Sequence, residues 1–382
     1  MTGMNPPPAT VVLVWRNEIL PGSETFIRNQ ISAMRRWQPR LAGASRTQSA
    51  LSRDDDAILF GAGRAEWARR KAFRFFRRSA RLNRLISQEH VSVVHAHFGP
   101  DAITVFPTAR RLGLPLVITF HGYDVTKNSL FTGFEGWRYR RRIRQAIAYA
   151  SRVVVISEFM ANMVITRLGA DPAKVIVRTI GIPLNTAHPE LAVEKEWDLV
   201  FVGRLTLKKG VDHLLRAVAS LTSANRAARI AVVGGGALAD ELQALAAQLA
   251  LNVTFLGRLS PAEVSDVLAR SGVFVGPSRT AESGDAEGFG MVFLEAALAS
   301  LPVVAYRHGG VPEVVVDGVT GLLAAESDVE TLAEHIDYLL TNPEVAARMG
   351  ALGRERVIRD FDVEGQTVRL EQIYDELVQH GR

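Results

Sequence analysis

Short runs of β-branched and apolar residues alternate with helical stretches along almost the whole chain, and this alternation constrains the fold more than any other feature. In the first half the strand candidates are residues 10–15, 57–60, 91–98, 115–122, 152–157 and 174–182. In the second they are 198–205, 229–236, 253–259, 273–278, 302–306 and 320–324. Helical patterns fill most gaps, among them 210–221, 238–249 and 261–269. Continuously apolar strands joined by helical crossovers make parallel sheets covered on both faces. Two such sets predict an α/β protein of two doubly wound, Rossmann-like domains. The break falls in PLNTAHPELAVEKEW (183–197), which is polar, carries two prolines and has no apolar period. The expected organisation is a first domain over 1–185, a linker over 186–197, a second domain over 198–362, and a final helix, 363–382, packing back on the first.

At 382 residues the chain is long enough for two full cores, and 47% hydrophobic against 22% charged residues is ordinary globular composition. Without cysteine there is no disulfide, thiol nucleophile or cysteine-ligated metal. The N-terminal residues lack the basic region and cleavage site of a signal peptide, and no apolar run approaches the roughly 20 residues that span a bilayer. Residues 1–190 carry 28 Lys+Arg against 13 Asp+Glu, a balance of +15, whereas 191–382 carry 17 against 27, or −10. Such asymmetry directs the first half towards a polyanion or an anionic surface.

Ligands of open parallel sheets bind beyond the carboxyl ends of the strands, and residues of unusual chemistry gather there. His97 and His121 end strands in the first half; Arg204, Gly234, Gly235, Gly236, Arg258 and Ser278 end strands in the second, which predicts a cleft between two facing domains. In GRLTLKKG (203–210), Arg204 sits at a strand exit and Lys209 at a helix start. Cations there oppose the helix dipole unless an anion lies between them and the exposed backbone amides, and a diphosphate satisfies all three. Lys208 reads as a solvated loop lysine. VVGGGAL (232–238) adds a turn where backbone can approach a nucleotide, although its spacing is neither a dinucleotide fingerprint nor a P-loop.

EGFGMVFLE (287–295) holds two glutamates. Glu295 is the single charge in a helix expected over 291–300, and a helix apolar on all sides is normally buried. A buried carboxylate needs a partner, either an arginine or a ligand with hydroxyls to give. Glu287 lies in the loop AESGDAEGFG (281–290), and the amides of Phe289, Gly290 and Met291 between the glutamates point where a phosphate or sugar hydroxyl could bind.

Together GRLTLKKG, PSRTAESGDAEGFGMVFLEA and PVVAYRHGGVPEVV resemble the retaining glycosyltransferases of the GT-B fold, most of all family four with its E-x7-E motif. In the first half PGSETFIRNQ (21–30), VHAHFGPDA (94–102), TFHGYDVT (119–126) and VISEFMANM (155–163) are similar to its exopolysaccharide branch, colanic-acid-type enzymes included. The resemblance covers nearly the whole chain. It implies a UDP- or GDP-sugar donor, with Arg204 and Lys209 on the diphosphate, Glu295 on the ribose and Arg258 at the base. Glu287 and the amides of Phe289, Gly290 and Met291 would hold the transferred sugar, with His121 near it. Gly22 and Ser23 would approach the phosphates, Gly234, Gly235 and Ser278 join the donor side, and His97, Asp124 and Ser157 the acceptor side. One departure is Gly181-Ile182-Pro183, where relatives commonly carry Gly-Ile-Asp, so no role for that acid carries over. The implied mechanism is front-face displacement, catalysed by positioning and fixed charge, with no protein nucleophile, cofactor or metal. The implied acceptor is a saccharide or one carried on a polyprenyl diphosphate, and the implied location is cytoplasmic, at the inner face of the cell membrane.

Asp54, Asp55 and Asp56 superficially match a metal-binding D-x-D but read as a solvated turn. Residues 64–84 hold nine basic residues and one acid, with Trp67, Phe73, Phe75 and Phe76 interleaved. Such a helix suits an anionic membrane surface, or a surface position with its aromatics packed inward; RYRRRIR (138–144) is a second basic cluster. No nucleic-acid module is recognisable. A GT-B-like nucleotide-sugar epimerase would need an additional acid/base set, and a non-catalytic binding protein would not need Glu295 buried beside a diphosphate loop. A glycosidase built on the two glutamates is disfavoured by the cationic pair.

Overall fold

The structure, a computed structural model, describes residues 10–22, 24–127, 130–184, 194–221, 225 and 227–379. The chain divides into two compact units, Met1–Gly181 with Val363–Arg382, and Ile182–Asp362. Most of the expected linker lies outside the described residues.

The first unit contains β1 (Val11–Ile19), β2 (Gln38–Arg46), β3 (Ala57–Ile58), β4 (Val91–His97), β5 (Leu116–Phe120), β6 (Arg152–Val155) and β7 (Val175–Val177). They form one parallel sheet in the order β3-β2-β1-β4-β5-β6-β7. Val14 stands opposite Leu41 on one side and His95 on the other. The sequence pattern did not reveal β2, because QPRLAGASR contains no apolar run. Its middle residues, Leu41 to Ala44, are nevertheless buried. Gly43 permits this: a Cβ there would stand 2.6 Å from Ile19 and 2.7 Å from the Arg16 carbonyl.

The basic segment forms two helices, Arg64–Phe76 and Ala80–Gln88, rather than one. Arg77 turns left-handed at φ 55°, and Ser79 caps the second helix by accepting from Leu82 N–H at 3.3 Å. Its aromatics divide: Phe73 is buried against Trp15 and Phe60, at 5.9 and 5.6 Å between ring centroids, whereas Trp67, Phe75 and Phe76 are exposed.

The final helix, Val363–Gln379, completes the first unit. Fully buried Tyr374 meets Trp37 edge-on at 5.2 Å, with its hydroxyl 2.6 Å from His95 Nδ1. Glu371 Oε1 accepts the backbone N–H groups of Arg35, Arg36 and Trp37 at 3.0, 2.8 and 2.9 Å. This carboxylate satisfies three donors left over beyond the helix Thr25–Ala33.

In the second unit every expected strand forms: β8 (Trp197–Val202), β9 (Ile230–Val233), β10 (Val253–Gly257), β11 (Ser271–Gly276), β12 (Val303–Tyr306) and β13 (Gly321–Ala324). The sheet is parallel, in the order β10-β9-β8-β11-β12-β13, over a core that includes Leu199, Phe201, Leu214, Val232, Val275 and Tyr306. The order reverses between β8 and β11, and in open α/β sheets ligands enter at the carboxyl ends of such a strand pair. Among the described residues no helix is long and apolar enough to cross a membrane.

Candidate active site

Beyond β8 the chain passes through Gly203 and Arg204 into a 3-10 turn, Leu207–Lys209, and then the helix Val211–Ala219. Gly210, at φ 67°, allows this loop to lie on the one after β11, since a Cβ would stand 2.0 Å from Pro277 O. Gly234 and Gly236 do the same for the turn after β9, with Cβ positions 1.8 Å from Gly203 O and 2.2 Å from Leu205 O. Gly235 accepts from Leu205 N–H at 3.1 Å and lies against the Arg258 side chain. The structure thus brings the Arg204 segment, Gly234, Gly235 and Arg258 to one end of the sheet. The Arg204 side chain is exposed and has no partner among the described residues. Ser278 is buried beyond β11.

The second loop supplies the carboxylates. Lys209 Nζ lies 2.5 Å from Glu287 Oε2. Burial would raise the Glu287 pKa, but Lys209 and then Lys208 outweigh it and hold the carboxyl at about 2. Lys208 is not the solvated lysine expected, because its ammonium contacts Asp285 at 3.0 Å and the Ala286 carbonyl at 2.8 Å, fastening the loop from beneath. Glu287 N–H donates to His308 Nε2 at 3.1 Å, which places the ring proton on Nδ1, facing Glu326 at 3.1 Å. Gly309 packs against the Glu287 carbonyl, where a Cβ would stand at 2.1 Å. Gly290, at φ 88°, starts the helix Met291–Leu298 without a side-chain cap. The amides of Phe289, Gly290 and Met291 accordingly meet no acceptor among the described residues, and Phe289 itself is buried.

Glu295 corrects the burial expected of it. Phe293, Leu294, Ala296, Ala297 and Leu298 are buried, but Glu295 occupies the exposed face of their helix. Its carboxylate has no partner among the described residues, so the arginine ion pair is absent there. Surrounding protein raises its pKa, to about 7, although solvent reaching the side chain offsets part of that rise.

In the first unit His97 and His121 leave adjacent strands, β4 and β5, and meet: Nδ1 to Nε2 is 2.9 Å, with rings stacked at 5.2 Å. Burial lowers the pKa of both well below the ordinary range, and His97 Nε2 and His121 Nδ1 are buried without a hydrogen-bond partner among the described residues. Asp124 and Ser157, expected on the acceptor side, are instead occupied by backbone. The Asp124 carboxylate accepts from Gly99, Gly122 and His121 N–H at 3.0, 3.0 and 3.3 Å and so shapes the His121 turn. Ser157 is the fully buried cap of the helix Glu158–Met163. Gly22 is exposed, and Ser23 lies outside the described residues. Asp56 is no solvated turn residue: it is buried and bound by Arg28 at 2.7 and 3.0 Å.

Residues 185–356 match the model of the glycosyl transferases group 1, and residues 21–186 match that of glycosyltransferase family 4. A GDP-mannose-dependent alpha-(1-6)-phosphatidylinositol monomannoside mannosyltransferase of Mycobacterium tuberculosis is 30% identical over 292 residues, covering 72% of this chain and 74% of the relative. The chain belongs to glycosyltransferase family four. The alpha-maltose-1-phosphate synthase of the same organism is 32% identical over 301 residues, covering 71% and 75%. A solved structure of Anabaena HepE in complex with UDP superposes with a TM-score of 0.77 at 18% identity, covering 96% of this chain and all of that one. The two parallel-sheet halves are those of the GT-B fold, and the family-four chain is a transferase acting on a nucleotide-sugar donor.

In each unit a side-chain network beside the candidate residues gave no signal in the sequence. Arg279 reaches back from the β11 loop to bond Asp212 twice at 3.1 Å and to contact His213, whose other nitrogen meets Tyr306 Oη at 3.0 Å. Arg16, buried within β1, grips Glu24, contacts Asp101 and donates to His97 O at 3.2 Å. Burial pushes the Asp101 carboxyl up to about 7 against the pull of Arg16. Glu24 and Asp101 stood inside quoted motifs, but their shared cation lies in an otherwise ordinary strand.

Proposed function

We propose that the protein transfers a sugar from a UDP- or GDP-sugar, with retention at the anomeric carbon, to a saccharide carried on a polyprenyl diphosphate, in exopolysaccharide or cell-surface glycan synthesis. The observation that carries this reading is the Lys209–Glu287 pair: its lysine shares a loop with Arg204, which has no partner among the described residues, and its glutamate lies just before the uncapped helix Met291–Leu298. As the bond from the anomeric carbon to the phosphate oxygen breaks, negative charge grows on the diphosphate, where fixed cations and amides stabilise it most. The acceptor hydroxyl adds to the same face of the sugar, and its proton passes to the departing phosphate oxygen. Glu287, held ionised by Lys209, accepts hydrogen bonds from the sugar, and Glu295 accepts from the ribose. No metal or cofactor takes part in this scheme.

The names of the relatives support the donor class, one being GDP-mannose-dependent and one bound to UDP. A place at the inner membrane face is supported by the basic first half and by exposed Trp67, Phe75, Phe76, Phe134 and Trp137. Nucleotide release from UDP- and GDP-sugars, with and without EDTA, and NMR of the product anomer test the proposal. An inverted product or abolition by chelator overturns the mechanism, and silence with every donor overturns the activity.

A further inference from the structure

We propose that a groove at the carboxyl ends of β2 and β3 binds an amphiphilic anion, a lipid bearing a phosphate or diphosphate; the idea rests on the lipid-linked acceptor reading above. The groove measures about 1110 Å³ and is lined by Arg46, Ile58, Phe60, Arg64, Trp67 and Arg70, among others. It lies at the sheet's outer edge, where β3 is the last strand, and not at the reversal between β1 and β4. It is therefore separate from the His97–His121 pair.

Three arginines line this groove and no acid does. Glu66, on the same helix, is turned to other work: its carboxylate is shared by Arg81 and Arg69, which hold its pKa at about 2. Arg64 and Arg70 have no side-chain partner among the described residues. The remaining wall is apolar, with the Trp67 ring half exposed. A bare anion would leave Trp67 and Ile58 facing water, and a hydrocarbon would be confronted by the guanidinium groups of Arg64 and Arg70, Arg46 being held by Asp54 at 3.5 Å and the Arg53 carbonyl at 2.6 Å. A lipid phosphate satisfies both walls. The volume slightly exceeds the roughly 300–1,000 Å³ of small-molecule clefts, which leaves room for a head group and the first part of a chain. At its far end the groove helix exposes Phe75 and Phe76, so a lipid arriving from a surface would meet one continuous helix.

The test is calorimetric titration of the full-length protein with farnesyl diphosphate below its micellar concentration, with UDP and GDP present to occupy the donor site. Farnesol and inorganic diphosphate serve as the tail and head probes. Farnesyl diphosphate should bind, each half-probe about tenfold more weakly or worse, and the pair Arg64→Glu with Arg70→Glu should lose about tenfold, the worth of one charged contact. Trp67→Ala should weaken the lipid and leave inorganic diphosphate unaffected. Undiminished binding by the charge-reversed protein overturns the site. Displacement by the nucleotides does the same, and equal affinity for inorganic diphosphate reduces it to an anion site without a lipid. Donor hydrolysis is followed in parallel: if it is absent while arginine-dependent lipid binding persists, the transferase reading fails and the groove stands.

Discussion

Lys209 Nζ lies 2.5 Å from Glu287 Oε2 and so joins the loop after β8 to the loop after β11 across 78 positions of sequence. Lys209→Met should lower turnover more than donor affinity, because charge on the diphosphate is greatest as the glycosidic bond breaks. It should also cost about 1.5–3 kcal/mol of stability. The Glu287 pKa is depressed from 4.5 to about 2, so the pair stabilises the fold fully above 4.5 and less as pH falls towards 2. Urea denaturation across that window should show this acid loss in the natural protein and a flatter profile in the variant. Identical profiles would sever the link.

Glu295 should govern the pH dependence of donor binding. Surrounding protein raises its carboxyl above the ordinary 4.5, less the part that solvent offsets, so the form that accepts two hydroxyl bonds is depleted as pH falls below neutrality. Glu295→Gln should lose about 1.5–3 kcal/mol of donor affinity, show little pH dependence between 6 and 8 and keep its fold. Calorimetry with the nucleotide sugar decides; equal affinity would remove Glu295 from the ribose site.

Glu371→Ala leaves the N–H groups of Arg35, Arg36 and Trp37 without their acceptor. A loss of about 1–3 kcal/mol is expected, measured by chemical denaturation. Hydrogen exchange should quicken at 34–38 and along the final helix, and an unchanged midpoint would show that water replaces the carboxylate freely.

Membrane attachment should follow the exposed aromatics and the basic residues around them. The field at Arg77 comes partly from Arg142 and Arg138, so the two basic clusters act on one another. The protein should sediment with vesicles containing anionic lipid, leave them at high salt as screening grows, and ignore neutral ones. Replacing Phe76 and Trp137 by Ser, with Arg74 and Arg78 reversed to Glu, should abolish sedimentation and spare donor hydrolysis. Failure of the natural protein to sediment at low salt would make these faces solvated surfaces.

The second sheet was readable because its buried parallel strands are continuous apolar runs, whereas β2, near an edge and rich in small and polar residues, carries no such run. Strand ends also located Arg204, Arg258, His97 and His121, since chemistry in such sheets collects at the carboxyl edge. Conformation of the loops was not readable. Nothing in GRLTLKKG shows that Lys208 would turn inward to Asp285, or in TFHGYDVT that Asp124 would be consumed by backbone amides. Glu295 misled for a different reason: a helix of eight residues beside a sheet needs one open position, and a single charge among apolar neighbours marks that position as readily as it marks a buried one.

The final helix has a consequence for how the molecule is made. Synthesis runs from N- to C-terminus, yet Tyr374 and Glu371, which close over Trp37, His95 and the turn at Arg35, follow the whole of Ile182–Asp362 in the chain. Until the ribosome has produced the whole of Ile182–Asp362, the earlier sheet stands with one flank uncovered. The nascent first half therefore exposes apolar surface throughout that interval, and a truncation before Val363 would leave it exposed permanently.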